Sequence, residues 1–191
     1  MNFERLRAAG LPAGSVVSVL LEQHAKIREL FAQTTAASGE ARQRAFDGLR
    51  GLLAVHEAGE EIVVRPVSEG ISGGSVADAR NEEESEAARA LAELEKLQVG
   101  SREFAEKLAA LERDVSDHAD AEEDEEFPFL LSSVDPDKQL KMGARLLKVQ
   151  GVAPTHPHPA AVGSAAAQKV VGPFAALLDK ARDTFNNVTE H

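Results

Sequence analysis

The chain has 191 residues and a formal net charge of −11, with no cysteine, tryptophan or tyrosine. That length suits one domain with a sound core plus a peripheral extension, and the acidity argues against a surface for nucleic acid or anionic membrane. Without cysteine there are no disulfides, thiolate zinc sites or iron–sulfur clusters, so His, Asp and Glu are the strong ligands left; without tyrosine there is no tyrosyl radical.

Taken in order, residues 1–14 form a lead-in and Ser15 is an N-cap opening a first helix that runs to the neighbourhood of Ser38-Gly39. Its apolar stripe is Val17, Leu20, His24, Ile27 and Phe31, an alternating three-and-four spacing that faces a bundle. A second helix from near Glu40 carries Phe46, Leu49, Leu53, His56, Glu60 and Val63 on its seam and is expected to end before Pro66. Val67 to Gly74 reads as a loop, and Ser75-x-x-Asp78 as the capping box of a third helix with Ala77, Arg80, Glu84, Ala87, Leu91 and Leu94 on its seam.

After Gly100-Ser101 the seam resumes at Phe104, Leu108, Leu111, Val115, His118, Glu122, Glu125 and Phe129, in a fourth helix expected to end near Phe127-Pro128. Asp135-Pro136 starts a shorter fifth helix to about Val149. Pro154, Pro157 and Pro159 make an extended linker, and Gly172-Pro173 opens a last amphipathic helix. The expected fold is all-α: an up-down-up-down antiparallel four-helix bundle over residues 15–133, with one or two extra C-terminal helices in 134–191 packing outside it. No apolar run approaches the roughly 20 residues of a membrane span and no charged-then-apolar leader is visible, so a soluble, cytoplasmic protein is expected.

The bundle reads as a duplication. His56-x-x-x-Glu60-Glu61 with Pro66 recurs as His118-x-x-x-Glu122-Glu123 with Pro128 at identical spacing, and Glu84 stands before His118 about as far as His24 stands before His56. Six polar side chains thus fall on the seam: His24, His56, Glu60, Glu84, His118 and Glu122. Any one alone is more often a hydrogen-bonded core residue or a surface ion pair. Six in register on four helices are rare enough to favour a shared purpose. Buried carboxylates cost several kcal/mol each without a cation, and three carboxylates with one hydroxide bridge balance two ferrous ions. Glu60 and Glu122 are then the candidate bridges, with His24 and His56 on one ion and His118 and Glu84 on the other.

Glu57, Glu61, Asp120, Glu123, Asp124 and Glu126 fall off the stripe and read as a solvated face, as does Asp117. Glu125 lies on the stripe with no assigned role. His156 and His158, fixed between prolines in the linker, read as exposed rather than as ligands.

The residues Glu22-Gln23-His24-x-x-Ile27-Arg28-x-Leu30-Phe31, with the two His-x-x-x-Glu-Glu motifs and their prolines, resemble the haemerythrin-like, His-His-Glu cation-binding family over roughly residues 15–130. Ferritin-type bundles use Glu-x-x-His instead, a motif no histidine here completes. The resemblance implies a non-haem site of two iron ions, oxo- or hydroxo-bridged, with neither haem nor nucleotide. It also implies dioxygen, peroxide or nitric oxide as small-molecule partner, in oxygen binding, redox sensing, iron homeostasis or peroxidase- or catalase-like chemistry. The family's third helix normally supplies a histidine where Glu84, or Glu83 one residue off, stands here. A harder carboxylate ligand favours the ferric state, so ready oxidation is expected in place of reversible oxygen carriage. The alternatives are a non-enzymatic oxygen or iron sensor, and a structural bundle holding another divalent ion.

Overall fold

The computed structural model describes residues 10–72, 86–152 and 174–189, and these are helical with no strand among them. Helix α1 spans Val16–Ala36. Helix α2 runs from Gly39 to Ser72 with a π-helical turn at Glu60–Val64. Helix α3 covers 86–94. Helix α4 runs from Arg102 to Ser133 with a second π turn at Glu122–Glu126. Helices α5 (Pro136–Val152) and α6 (Phe174–Thr189) follow. The expected capping box at Ser75, Glu83, Glu84, His156 and His158 lie outside the described residues.

The helix starts follow from their caps. Ser15 Oγ accepts the Ser18 N–H at 3.4 Å, and Ser101 Oγ accepts that of Phe104 at 3.1 Å, each satisfying an amide that has no partner within its helix. At the start of α5 the Asp135 carboxylate accepts the N–H of Asp137 at 2.9 Å. The two-residue break between α1 and α2 forces them antiparallel, and Gly39 takes φ +54° there, a conformation that strains any side-chain-bearing residue.

Neither proline ends its helix, contrary to the expectation from sequence. Each π turn closes with an i→i+5 bond, Arg65 N–H to Glu60 O and Phe127 N–H to Glu122 O, and Pro66 and Pro128 are the second residues of the α-helical segments that follow. A proline inside an α-helix loses a hydrogen bond and clashes with the carbonyl four residues back. The wider turn breaks that register, so the proline meets conditions like those of a helix start. Residues 67–72, expected as loop, are accordingly helical.

The insertion also rotates everything after it. Glu125 and Phe129 continue the arithmetical seam of α4, yet Glu125 is exposed and Phe129 half-buried, while Glu123, Phe127 and Leu130 are buried in their stead.

The apolar core has two parts. One gathers Leu20, Val55 and Phe127 with Met142 and Leu146 of α5 and Ala181 and Phe185 of α6. The other gathers Phe31, Phe46 and Leu49 with Leu91, Phe104 and Leu111. The C-terminal helices flank the four-helix bundle as expected, but they also seal it: Phe185 is fully buried, which contributes on the order of 2–3 kcal/mol. Contact there is close. A Cβ on Gly59 would come within 2.7 Å of Leu146 Cδ2, and one on Gly143 would run into the Gly14 carbonyl. No helix among the described residues is long and apolar enough to cross a membrane.

Candidate metal centre

Between the two apolar clusters lies a polar layer. His24 sits midway along α1, with Leu20 and Leu21 in the first cluster and Ile27 in the second. His56 and Glu60 close the α-helical part of α2 and open its π turn; His118 and Glu122 do the same in α4. The π turns thus begin at the two glutamates of the duplicated motif.

The imidazoles converge through their Nε2 atoms. His24 Nε2 lies 3.2 Å from His56 Nε2 and 3.3 Å from Glu122 Oε2. His56 Nε2 is 3.5 Å from Glu60 Oε1, and His118 Nε2 is 3.2 Å from Glu122 Oε1. One ligand-type atom from each of His24, His56, Glu60 and Glu122 falls within 4.8 Å of the others, and all four residues are buried. His118, half-buried, meets the group through the far oxygen of Glu122. Glu122 therefore stands between two sets of imidazoles. The structure brings together five of the six residues singled out on the seam, and the sixth, Glu84, is outside the described residues.

The other ring nitrogens are held from behind. His24 Nδ1 donates to Glu123 Oε1 at 2.9 Å, and His56 Nδ1 donates to Gln23 Oε1 at 2.9 Å. The Gln23 amide in turn donates to Gln150 of α5 at 3.0 Å. Glu123 is also gripped by Arg28 Nη1 at 3.0 Å, and Arg28 Nη2 reaches Asp120 at 2.8 Å. The ring of Phe127 stacks on His24 at 5.5 Å between centroids. With Nδ1 as the donor on both rings, both Nε2 lone pairs point at the same space.

Glu123 corrects the sequence reading, which placed it on a solvated face; it is 2 % exposed. It lies in the second π turn, where His24 and Arg28 hold it inward, and the visible sign of that turn is Pro128, which such a turn accommodates at the start of the segment that follows. Gln23 has no such signal beyond its place next to His24. Glu61 stays on the surface, paired with Arg182 of α6 at 2.7 Å. Glu126 is half-buried and accepts the Ser68 hydroxyl at 2.6 Å.

Two observations show that these residues fit a cation. Among the described residues Glu122 Oε2 has no hydrogen-bond partner, its neighbour His24 Nε2 lying outside hydrogen-bond geometry, although the atom is buried. Such an orphaned carboxylate oxygen is costly unless a positive charge faces it. Moreover, two lone pairs at 3.2 Å repel unless a proton or a metal lies between them. In the metal-free chain a proton does this. Burial opposes charging His24, but the carboxylates of Glu122 and Glu123 outweigh it and its pKa is raised. Burial and the neighbouring His24 charge push His56 down to about 3, so it stays neutral. Burial would raise Glu122, yet the His118 and His24 imidazoles hold it well below the usual carboxylate range.

The chain is 27% identical over 187 residues to an uncharacterised hemerythrin-like protein of Schizosaccharomyces pombe, an alignment spanning 96% of this chain and 92% of that one. No solved structure matches significantly. The family model described as the Hemerythrin HHE cation binding domain matches residues 15–130, which contain all five residues of the cluster. The chain belongs to the hemerythrin HHE cation-binding family.

Proposed function

We propose that this chain holds two iron ions at the His-Glu cluster and binds or reacts with dioxygen, peroxide or nitric oxide in the cytoplasm. The observation that supports this best is the convergence of His24 and His118 Nε2 on the two oxygens of one buried glutamate, with His56 Nε2 3.2 Å from that of His24 and one of those oxygens lacking a hydrogen bond among the described residues. His24 and His56 would hold one ion and His118 the other, with Glu84 the expected further ligand of the second, and Glu60 and Glu122 would be shared between them. Iron so held would supply a Lewis acid and a redox couple.

The remaining residues prepare that site. Glu123 and Gln23 keep the Nδ1 protons of His24 and His56, which fixes both tautomers with Nε2 free. Phe127 keeps the His24 ring plane, and the apolar clusters flank the polar layer above and below. Arg28 balances the Glu123 charge, so that this carboxylate orients a ligand without itself becoming one.

Iron loading of the purified chain tests the proposal. Two iron ions per chain, with a near-ultraviolet ligand-to-iron absorption, is the expected result; loading with another divalent ion in preference to iron would return the site to a structural role. Glu123→Gln is expected to weaken metal affinity by about 10–100-fold with helix content unchanged, the cost of loosening a ligand from behind. Glu123→Ala should cost more than Glu123→Gln, because the amide oxygen can still accept from His24 Nδ1.

One observation favours the sensor as a second reading. The Gln23 side chain that fixes His56 also donates to Gln150, so the centre touches α5 through two amides. Slower hydrogen exchange in α5 on metal loading, without peroxide turnover, would favour that role.

A further inference from the structure

A cavity of about 300 Å³ opens beside the cluster, between α1, α2, α3 and α4. Its floor is made by His24, His56, Glu60 and His118. Its walls are Ile27, Phe31, Leu53, Leu91, Leu111 and Val115, and toward solvent it meets the exposed acids Glu86, Asp114 and Asp117. Arg28 also faces it, but its guanidinium is engaged by Asp120 and Glu123.

Dioxygen and hydrogen peroxide are scarcely larger than water, whose share of liquid volume is about 30 Å³. A chamber some ten times that size, walled by aliphatic and aromatic side chains, lies at the small end of the range that encloses organic ligands. Apolar walls gain from an apolar body, while the floor accepts one polar head. The acidic rim selects against an anion such as a fatty carboxylate, because like charges repel at the entrance.

We propose that this chamber binds a neutral amphiphile of roughly ten heavy atoms, an alkyl or aryl hydroperoxide or the alcohol of the same shape, with its oxygen head on the floor and its apolar body against Phe31, Leu111 and Val115. The placing of the head rests on the metal reading above; the seating of the body does not. The chamber thereby takes organic hydroperoxides and their alcohols as its ligand class, beyond dioxygen or hydrogen peroxide alone.

Cumyl alcohol, an unreactive probe of this shape, tests the chamber by calorimetric titration of the full-length, iron-loaded chain. Binding at about 1 mM or tighter is expected, as befits a ligand of that size, with tert-butanol at least tenfold weaker and cumate no tighter than tert-butanol. Val115→Phe from α4 and Ala87→Phe from α3 fill the chamber from two sides at positions outside the cluster, and iron content and helix signal verify each fold. Both should weaken cumyl alcohol at least tenfold while leaving iron stoichiometry at the wild-type value. Absence of binding to the wild-type chain, or equal binding by both filled variants, overturns the proposal. Should the chain fail to take iron, the functional reading falls instead, and the same titration on the metal-free chain still decides whether the chamber holds the apolar body.

Discussion

Stripping the metal from the loaded chain with a chelator is expected to lower its melting temperature by about 8–16 °C. A ligand present at a thousandfold its dissociation constant stabilises the folded state by about 4 kcal/mol, and each kcal/mol shifts the melting point of a chain this long by about 2–4 °C. The structural reason is the polar layer between the two apolar clusters. With metal present, the lone pairs of His24 and His56 and the Glu122 oxygen that has no hydrogen-bond partner among the described residues would all have a cation to face. Without it, one proton on His24 does that work for a site that carries several acceptors. The same proton sets the pH dependence. Because the His24 pKa is raised in the metal-free chain, protons compete with metal from above pH 6.5 downward, so the gap between loaded and stripped melting temperatures should narrow as pH falls through that region. Scanning calorimetry of both forms at several pH values is the measurement. A melting temperature indifferent to chelation at neutral pH would remove the metal centre.

Much of this arrangement is legible from residue spacing, and the part that is not has identifiable physical origins. The seam of α1, Val17, Leu20, His24, Ile27 and Phe31, is buried at every position, because a regular helix obeys the arithmetic of 3.6 residues per turn. The seam of α4 obeys it as far as Glu122 and then departs, since one inserted π turn advances the following residues around the axis. Glu125 becomes exposed in this way, while Glu123 is drawn inward by His24 and Arg28, partners that Glu61 at the matching place of the other turn does not meet. The prolines at the matching place in both motifs were the visible sign, but a proline in a helical pattern more often marks an end. The packing of α5 and α6 was hidden differently. Gly59 and Gly143 admit close neighbours only by lacking a side chain, and nothing in a sequence distinguishes such a glycine from a permissive one. Gln23 was illegible because its role depends on which nitrogen of His56 faces it, a matter of tertiary contact.

Glu122→Gln is expected to reduce iron from two ions per chain to at most one and to weaken what remains by more than about 100-fold. Loosening a ligand's supporting partner already costs about 10–100-fold, and a ligand itself costs more. Glu122 is the member of the cluster with most to lose: Oε1 faces His118 and Oε2 faces His24, so both sets of imidazoles depend on one carboxylate. The amide keeps the size and shape of the side chain but removes the negative charge, and it turns an NH2 toward one imidazole lone pair where a cation would lie. In the metal-free chain the effect should be smaller. With the Glu122 charge gone, one cause of the raised His24 pKa disappears, the ring can shed its proton, and no unpaired charge is left buried. The variant is therefore expected to melt close to the stripped wild-type chain and to gain little when iron is added. Glu61→Gln is the control, since Glu61 follows the other motif glutamate directly yet pairs with Arg182 at the surface; its iron content should equal that of the unaltered chain. Iron analysis and melting curves for the two variants decide between a bridging glutamate and an ordinary buried one. If Glu122→Gln retains both ions at the original affinity, the assignment of Glu122 as the bridge is wrong, and the cluster must hold its metal through Glu60 and the histidines alone.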